Sequence, residues 1–186
     1  FAYDGINLFL LQCRPQSSSQ ETAPAIIPKD INPEKILFTA DKYISNGIIP
    51  DINFIIYIDP AKYSEREELD DLKQIGNAVG KLNKLLPKKR FILMGPGRWG
   101  SRDDIRLGVR VSYSDINNTA VLIEIARKKG NYTPDLSFGT HFFQDLVEAG
   151  IRYLPLYPDD EKVRFNERFF FFYYNVVTQF LHEYYN

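Results

Sequence analysis

An α/β fold, with an open, mostly parallel Rossmann-like sheet and helices on both faces, is what three features of the sequence predict. Short continuous apolar runs recur, as in Phe54-Ile55-Ile56-Tyr57-Ile58 and Ala120 to Ala126. Stretches of helical periodicity alternate with them, and the spacing fits strand, helix, strand crossovers, whose strands lie parallel and whose hand is right.

The elements follow in order. Ile6 to Cys13 predicts an apolar strand closed by Arg14-Pro15, and the Ser-, Pro- and Ala-rich stretch 17–30 predicts a linker. Residues 1–16 then form the tail of a preceding domain, and the α/β domain spans 31–158. The chain opens at Phe1 in mid-pattern without a methionine, which predicts a piece of something longer. Ile36-Leu37-Phe38 and Phe54 to Ile58 predict buried strands, the second ended by Asp59-Pro60. Ser64 with Glu67 three residues on predicts a capping box. Leu69, Leu72, Val79, Leu82 and Leu86 then line one face of a helix that stops at Pro87. Gly76 and Gly80 lower helix propensity by about 1 kcal/mol each, so they predict a close approach of this helix to the sheet.

Arg90 to Met94 predicts the next strand. Val109, Val111 and Tyr113 alternate with polar residues, and Ala120 to Ala126 predicts another strand. A helix from Thr140 to Ala149 should turn Phe142, Phe143, Leu146 and Val147 inward and stop at Gly150, before a strand from Ile151 to Leu156. Asp159-Asp160-Glu161 predicts a turn. The aromatic C-terminal extension, 159–186, holds six aromatics from Phe169 to Tyr174, which predict cover for a sheet edge or contact with another domain. A helix capped by Asn175 is expected from Val176 to Tyr185.

Composition narrows the function. With 23 Lys+Arg against 24 Asp+Glu, the 186-residue chain carries a formal charge of −1, which argues against a nucleic-acid binder. No apolar run is long enough to cross a bilayer, so no membrane partner is expected. The one cysteine, Cys13, excludes a disulfide framework and a multi-cysteine metal site and fits a reducing compartment, the cytoplasm.

Ligands of open parallel sheets sit beyond the carboxyl ends of the strands, where Asp59, Tyr157 and the loop Gly95-Pro96-Gly97-Arg98-Trp99-Gly100-Ser101-Arg102 are expected. The loop matches Gly-x-Gly-x-x-Gly after a predicted strand, with Glu124 near the place of a ribose-binding acid, but no helix is predicted to open there. An anion pocket is the alternative. Gly95, Gly97 and Gly100 would free backbone N–H groups, Arg98 and Arg102 would act as forked donors, Ser101 would line the pocket, and Trp99 would form a stacking or lid surface. Equally, Arg98, Arg102 and Arg106 could pair with Asp103, Asp104 and other surface acids around a tight turn.

His141, in the first turn of the second helix with Asp145 four residues on, is the candidate catalytic residue: a general acid or base, a phosphoryl carrier, or one ligand of a metal with Asp145. A buried, hydrogen-bonded histidine is the plain alternative. Two ligands are too few for a metal site, and none is expected. His182 is expected to be surface or packing. Asp115 and Glu124 fail as a metal-dependent nuclease pattern, because Ala126 stands where a lysine is needed. A serine elbow and a Gly-Lys-Ser/Thr phosphate loop are absent from the sequence.

The stretch Leu10-Leu11-Gln12-Cys13-Arg14-Pro15-Gln16 resembles the end of the ATP-grasp nucleotide-binding domain of pyruvate phosphate dikinase and phosphoenolpyruvate synthase, where a Leu-Gln-x-Arg-Pro strand closes the domain. The resemblance covers about the first 16 residues. It implies that Gln12 and Arg14 are nucleotide-site residues of a larger protein that uses ATP and Mg²⁺. In that family a Thr-Ser-His-Ala motif carries a phosphohistidine; Gly139-Thr140-His141-Phe142 lacks the Ser before the histidine and the Ala after it. From Ile31 onward, Phe38-Thr39-Ala40, Gly95 to Gly100, Tyr113 to Asn117 and Phe138 to Asp145 look similar to the C-terminal region of bacterial and archaeal dikinase-like proteins, a region with no assigned activity.

The resulting expectation is a module that follows an ATP-grasp domain and either binds a small phosphate- or carboxylate-bearing molecule or regulates that domain. Phosphotransfer through His141 and a scaffold docking the neighbouring domain are the alternatives. The first requires residues 95–102 and the His141 imidazole to meet on one concave rim.

Overall fold

The apolar runs in the middle of the chain lie side by side as a parallel sheet. The computed structural model describes residues 2–9, 25–44, 47–101, 105–128 and 134–181. A small antiparallel hairpin pairs β1 (Ala2–Tyr3) with β2 (Leu8–Phe9). The main sheet holds β3 (Phe54–Tyr57), β4 (Phe91–Pro96), β5 (Val121–Ile125) and β6 (Arg152–Leu156) in the order β3-β4-β5-β6, all parallel. The helices are α1 (Pro60–Ser64), α2 (Leu69–Leu85), α3 (His141–Glu148), α4 (Phe169–Phe172) and α5 (Val177–Phe180).

Strands that follow one another in space as they do in sequence place every right-handed crossover on the same side. The core obeys this. Phe54, Ile56, Phe91, Leu93, Leu122 and Tyr153 project from one face onto Leu72, Val79 and Leu82 of α2, Val109, Val111 and Ile116 of the β4–β5 connection, and Leu146 of α3. The alternate side chains, among them Tyr57, Met94, Val121, Ile123, Ile125 and Leu156, need other cover. Phe38, Ala40, Ile49 and Ile52 from before the sheet supply it, with Val163, Phe165 and Phe170 from after it. Each large side chain so buried contributes about 1.5–3 kcal/mol relative to exposure. Helices thus lie on both faces, but among the described residues the second face has only the single turn of α4, whose Phe170 stacks on Tyr57 at 3.8 Å.

Several expectations change here. Ile36 to Phe38 is no strand of the sheet; Phe38 makes one antiparallel bridge to Phe165, because the second face needs apolar cover more than a fifth strand. The Ser64–Glu67 capping box does not form. Asp59 caps α1 instead, accepting the N–H groups of Ala61 (2.9 Å) and Lys62 (3.2 Å), with Pro60 at the first helical position. Ser64 closes that short helix, donating its hydroxyl to the Ala61 carbonyl at 2.8 Å, and α2 starts only at Leu69.

Gly76 and Gly80 admit the β4–β5 connection rather than the sheet: a Cβ on Gly76 would lie 2.2 Å from the Arg110 carbonyl oxygen. Val109 and Val111 are buried there without a partner strand, while Val147, expected inward, is exposed on α3. Gly150, at φ +61°, does end α3.

The tail is part of the core: Val163, Phe165 and Phe170 pack on one face, and Phe180 and Leu181 on the other, so packing does not divide at residue 158. Asn175 accepts the Val177 N–H at 2.9 Å at the start of α5. The rest of the helix expected to Tyr185 lies outside the described residues, as do His182, Cys13, Leu10 to Gln16 and most of the 17–30 linker. Among the described residues no helix is long and apolar enough to cross a membrane.

Candidate functional site

At the carboxyl end of β4 the chain folds back over the sheet, and its glycines explain how. Gly95 stands in register with Glu124 on β5. A Cβ there would lie 2.8 Å from the Trp99 ring, so the missing side chain makes room for an indole that is fully buried. Gly97, at φ +60°, would place a Cβ 1.7 Å from the Leu107 carbonyl oxygen; only glycine fits.

The freed N–H groups of this loop do not face a ligand. Gly97 donates to the Ile125 carbonyl (3.0 Å), Arg98 to that of Leu107 (2.9 Å), Gly100 to that of Val109 (3.2 Å), and Trp99 to the Glu124 carboxylate (2.8 Å). The loop is pinned from Gly97 to Gly100.

Glu124 is the centre of this clasp. Its carboxylate is fully buried and accepts the Trp99 N–H, the Ser137 N–H at 2.6 Å, the Ser137 hydroxyl at 2.5 Å and the Tyr153 hydroxyl at 2.7 Å. Burial pushes its carboxyl up to about 7, against the pull of those four donors. The same burial, with the neighbouring carboxylate, drives the Tyr153 phenol well above its ordinary range. One buried side chain thus ties the glycine loop, the segment before α3, and β6 together. Among the described residues the buried Trp99 Nε1 finds no acceptor.

The expected site residues fall apart against this frame. Glu124 is sealed in the core and cannot receive a ribose hydroxyl, and among the described residues no helix opens at Gly100 and the strand order has no reversal to make a topological switch point, so nothing here supports the dinucleotide reading. Trp99 is a core residue and not a lid. The loop and the start of α3 do meet: a Cβ on Gly100 would lie 2.7 Å from the Phe142 ring. The His141 imidazole, however, is exposed at the head of α3, with Nδ1 3.4 Å from Gln144 Oε1, while Thr140 caps the helix by accepting the Phe143 N–H.

Arg98 is half-buried with no carboxylate partner among the described residues. Arg102, Asp103 and Asp104 lie outside them, as do Gln12 and Arg14. Among the described residues no three His, Cys, Asp or Glu side chains group as they would around a metal.

Two cavities lie elsewhere. One, of about 420 Å³, is lined by Tyr63, Ser64, Arg66, Glu67, Leu72 and Arg106. The other, of about 460 Å³, opens at the opposite end of the sheet beside Lys88, Lys89, Arg90 and Arg152. Sequence reasoning missed both this basic cluster and the clasp. The single acid inside Val121-Leu122-Ile123-Glu124-Ile125 signalled the clasp, and the Lys88-Lys89-Arg90 run signalled the cluster. Comparison with protein-family models, curated proteins and solved structures finds no match to this chain.

Proposed function

We propose that this chain is a docking module of a dikinase-like protein, whose aromatic tail packs against the ATP-grasp domain that the Leu10 to Gln16 stretch resembles the end of. The observation that carries the reading is the run Phe171-Phe172-Tyr173-Tyr174, exposed by 55, 82, 67 and 81% in sequence order. Four adjacent large aromatic residues in water mark a surface meant to be covered. Phe170, by contrast, is anchored on Tyr57, so the ridge is held at a fixed place on the sheet and is not a loose end. Lys62 lies 5.8 Å from the Phe171 ring centroid and adds a cationic rim.

The hairpin supports the same reading. Tyr3, Ile6 and Leu8 are each at least two-thirds exposed, and a two-stranded hairpin without cover is marginal in water. In the whole protein ATP and Mg²⁺ would belong to the neighbouring domain. The lone Cys13 suits a reducing compartment such as the cytoplasm.

The test is binding in trans between this chain and that ATP-grasp domain, produced separately. The unaltered chain should bind, and Phe172→Ser with Tyr174→Ser should weaken binding by more than about tenfold while leaving the melting temperature of the isolated chain unchanged. No binding by the unaltered chain, or a gene that encodes no such domain, overturns the proposal.

A second reading keeps a small phosphate- or carboxylate-bearing ligand beside the glycine loop, favoured by the Arg98 guanidinium, which has no carboxylate partner among the described residues. With the backbone donors engaged, it would rest, among the described residues, on Arg98 and Ser101. Loss of a phosphate-induced thermal shift in Arg98→Ala would support it, and no shift in the unaltered chain would end it.

A further inference from the structure

We propose that the depression at the amino ends of β4, β5 and β6 binds a small phosphoryl-bearing molecule, its phosphates among Lys88, Lys89, Arg90 and Arg152 and its organic part against Ile48, Ile49 and Pro50. The cavity, about 460 Å³, is of the size that holds small ligands. Four cationic side chains and one carboxylate, Asp51, line it. In a chain whose charges otherwise nearly cancel, that local excess is a concentrated positive field.

The pairing of these cations is incomplete. Arg90 meets Asp51 at 2.8 Å. Lys89 Nζ reaches only carbonyl oxygens, those of Ala149 and Gly150 at 3.3 and 3.4 Å, where α3 ends. That end carries a partial negative charge, which Lys89 takes up in part, and two carbonyl acceptors leave one of its three N–H groups over. The side chains of Lys88 and Arg152 have no hydrogen-bond or ion-pair partner among the described residues. The Lys89 ammonium is held below its ordinary range by burial and by the adjacent Lys88. A bound anion would favour the charged ammonium against both effects.

The site is also built and not merely a charged surface. Lys89 and Asp51 hold φ of +59° and +61°, a left-handed conformation that side-chain-bearing residues adopt at a cost, and both line this cavity. Lys89 is fixed there by its N–H, which donates to the Asn118 carbonyl at 2.6 Å. Asn118 is itself locked to the fully buried Asn83 of α2, its N–H donating to Asn83 Oδ1 at 3.0 Å and its side-chain amide to the Asn83 carbonyl at 2.9 Å. Arg152 passes along Gly47, where a Cβ would come 3.4 Å from its Nη2. The core therefore pays strain to hold Lys89 at this rim.

The charge count selects the ligand class. A carboxylate brings one negative charge and a phosphoryl group nearly two, so a mono- or diphosphate matches the excess better than a monocarboxylate does. Guanidinium forks and an ammonium are the donors such groups take. The aliphatic wall suits whatever the phosphate is attached to.

The experiment is calorimetric titration of the 186-residue chain with inorganic pyrophosphate, with orthophosphate and citrate in parallel arms at low salt. Saturable pyrophosphate binding is expected, weakened about tenfold in Arg152→Ala and several-fold in Lys88→Ala, with Lys73→Ala, which removes an exposed cation of α2 outside the cavity, binding as the unaltered chain does. Arg152 and Lys88 are exposed, so unchanged far-ultraviolet dichroism and melting would show that folding is not the cause. No saturable binding, or binding that Arg152→Ala and Lys88→Ala leave intact, overturns the site. Citrate binding as tightly as pyrophosphate overturns the phosphoryl assignment. Loss on Arg98→Ala instead would move the ligand to the glycine loop and equally overturn it.

Discussion

The two ends of the sheet treat polar groups in opposite ways. At the carboxyl end, four successive N–H groups from Gly97 to Gly100 find acceptors inside the protein, three of them backbone carbonyls and one the buried Glu124 carboxylate. At the amino end, the side chains of Lys88 and Arg152 are left with no partner among the described residues. The end with the motif-like sequence is architecture, and the end without one keeps free charge. A glycine-rich loop signals tight backbone passage, and what passes can be the protein's own carbonyls as readily as a phosphate.

The contrast can be attacked at the clasp first, where effects should be largest. Glu124→Ala strands the Trp99 and Ser137 N–H groups and the Tyr153 hydroxyl in the core, and urea unfolding should report a loss of about 3–5 kcal/mol. A loss under 1 kcal/mol would mean that water reaches the clasp.

The same group sets a pH dependence. Its carboxyl, raised to about 7 in the fold from 4.5, holds a proton more tightly folded than unfolded. Its contribution is fully present below pH 4.5 and disappears as the pH climbs through 7, a swing of up to about 3 kcal/mol. Glu124→Gln should flatten stability between those limits relative to the unaltered chain; parallel curves would place the titration elsewhere.

Gly150→Ala sits between the two ends in size. Its φ of +61° is strained for alanine although nothing crowds a Cβ there, so thermal melts should show about 1 kcal/mol lost. Lys88→Ala should be the smallest, within about 0.5 kcal/mol by the same melts, since an exposed lysine whose side chain has no partner among the described residues contributes little to the fold. A loss above 1 kcal/mol would show that Lys88 is structural and weaken the case for the anion site.

What the sequence made legible follows from range. Phe54 to Tyr57, Phe91 to Met94, Val121 to Ile125 and Arg152 to Leu156 carry their strand signal locally, and Leu72, Val79 and Leu82 reveal α2 by spacing alone. Ile36 to Phe38 has the same local signal and became cover instead, because burial beneath a sheet and pairing within one demand the same apolar run. The start of α2 was obscured by two competing caps, and Asp59 with Pro60 prevailed over Ser64 with Glu67. The site was the least legible part. Glu124 finds Tyr153 through the parallel register of β5 with β6 and finds Ser137 where the chain turns into α3, while Lys88 meets Arg152 only because β4 and β6 flank β5, and no local pattern encodes any of these.

The most direct measurement is a ¹⁵N NMR titration of the chain with pyrophosphate. The account predicts saturable shifts of the Lys88, Lys89, Arg90 and Arg152 amides, with Gly97 to Ser101 unmoved. Shifts centred on Gly97 to Ser101, with the lysine and arginine cluster silent, would contradict it.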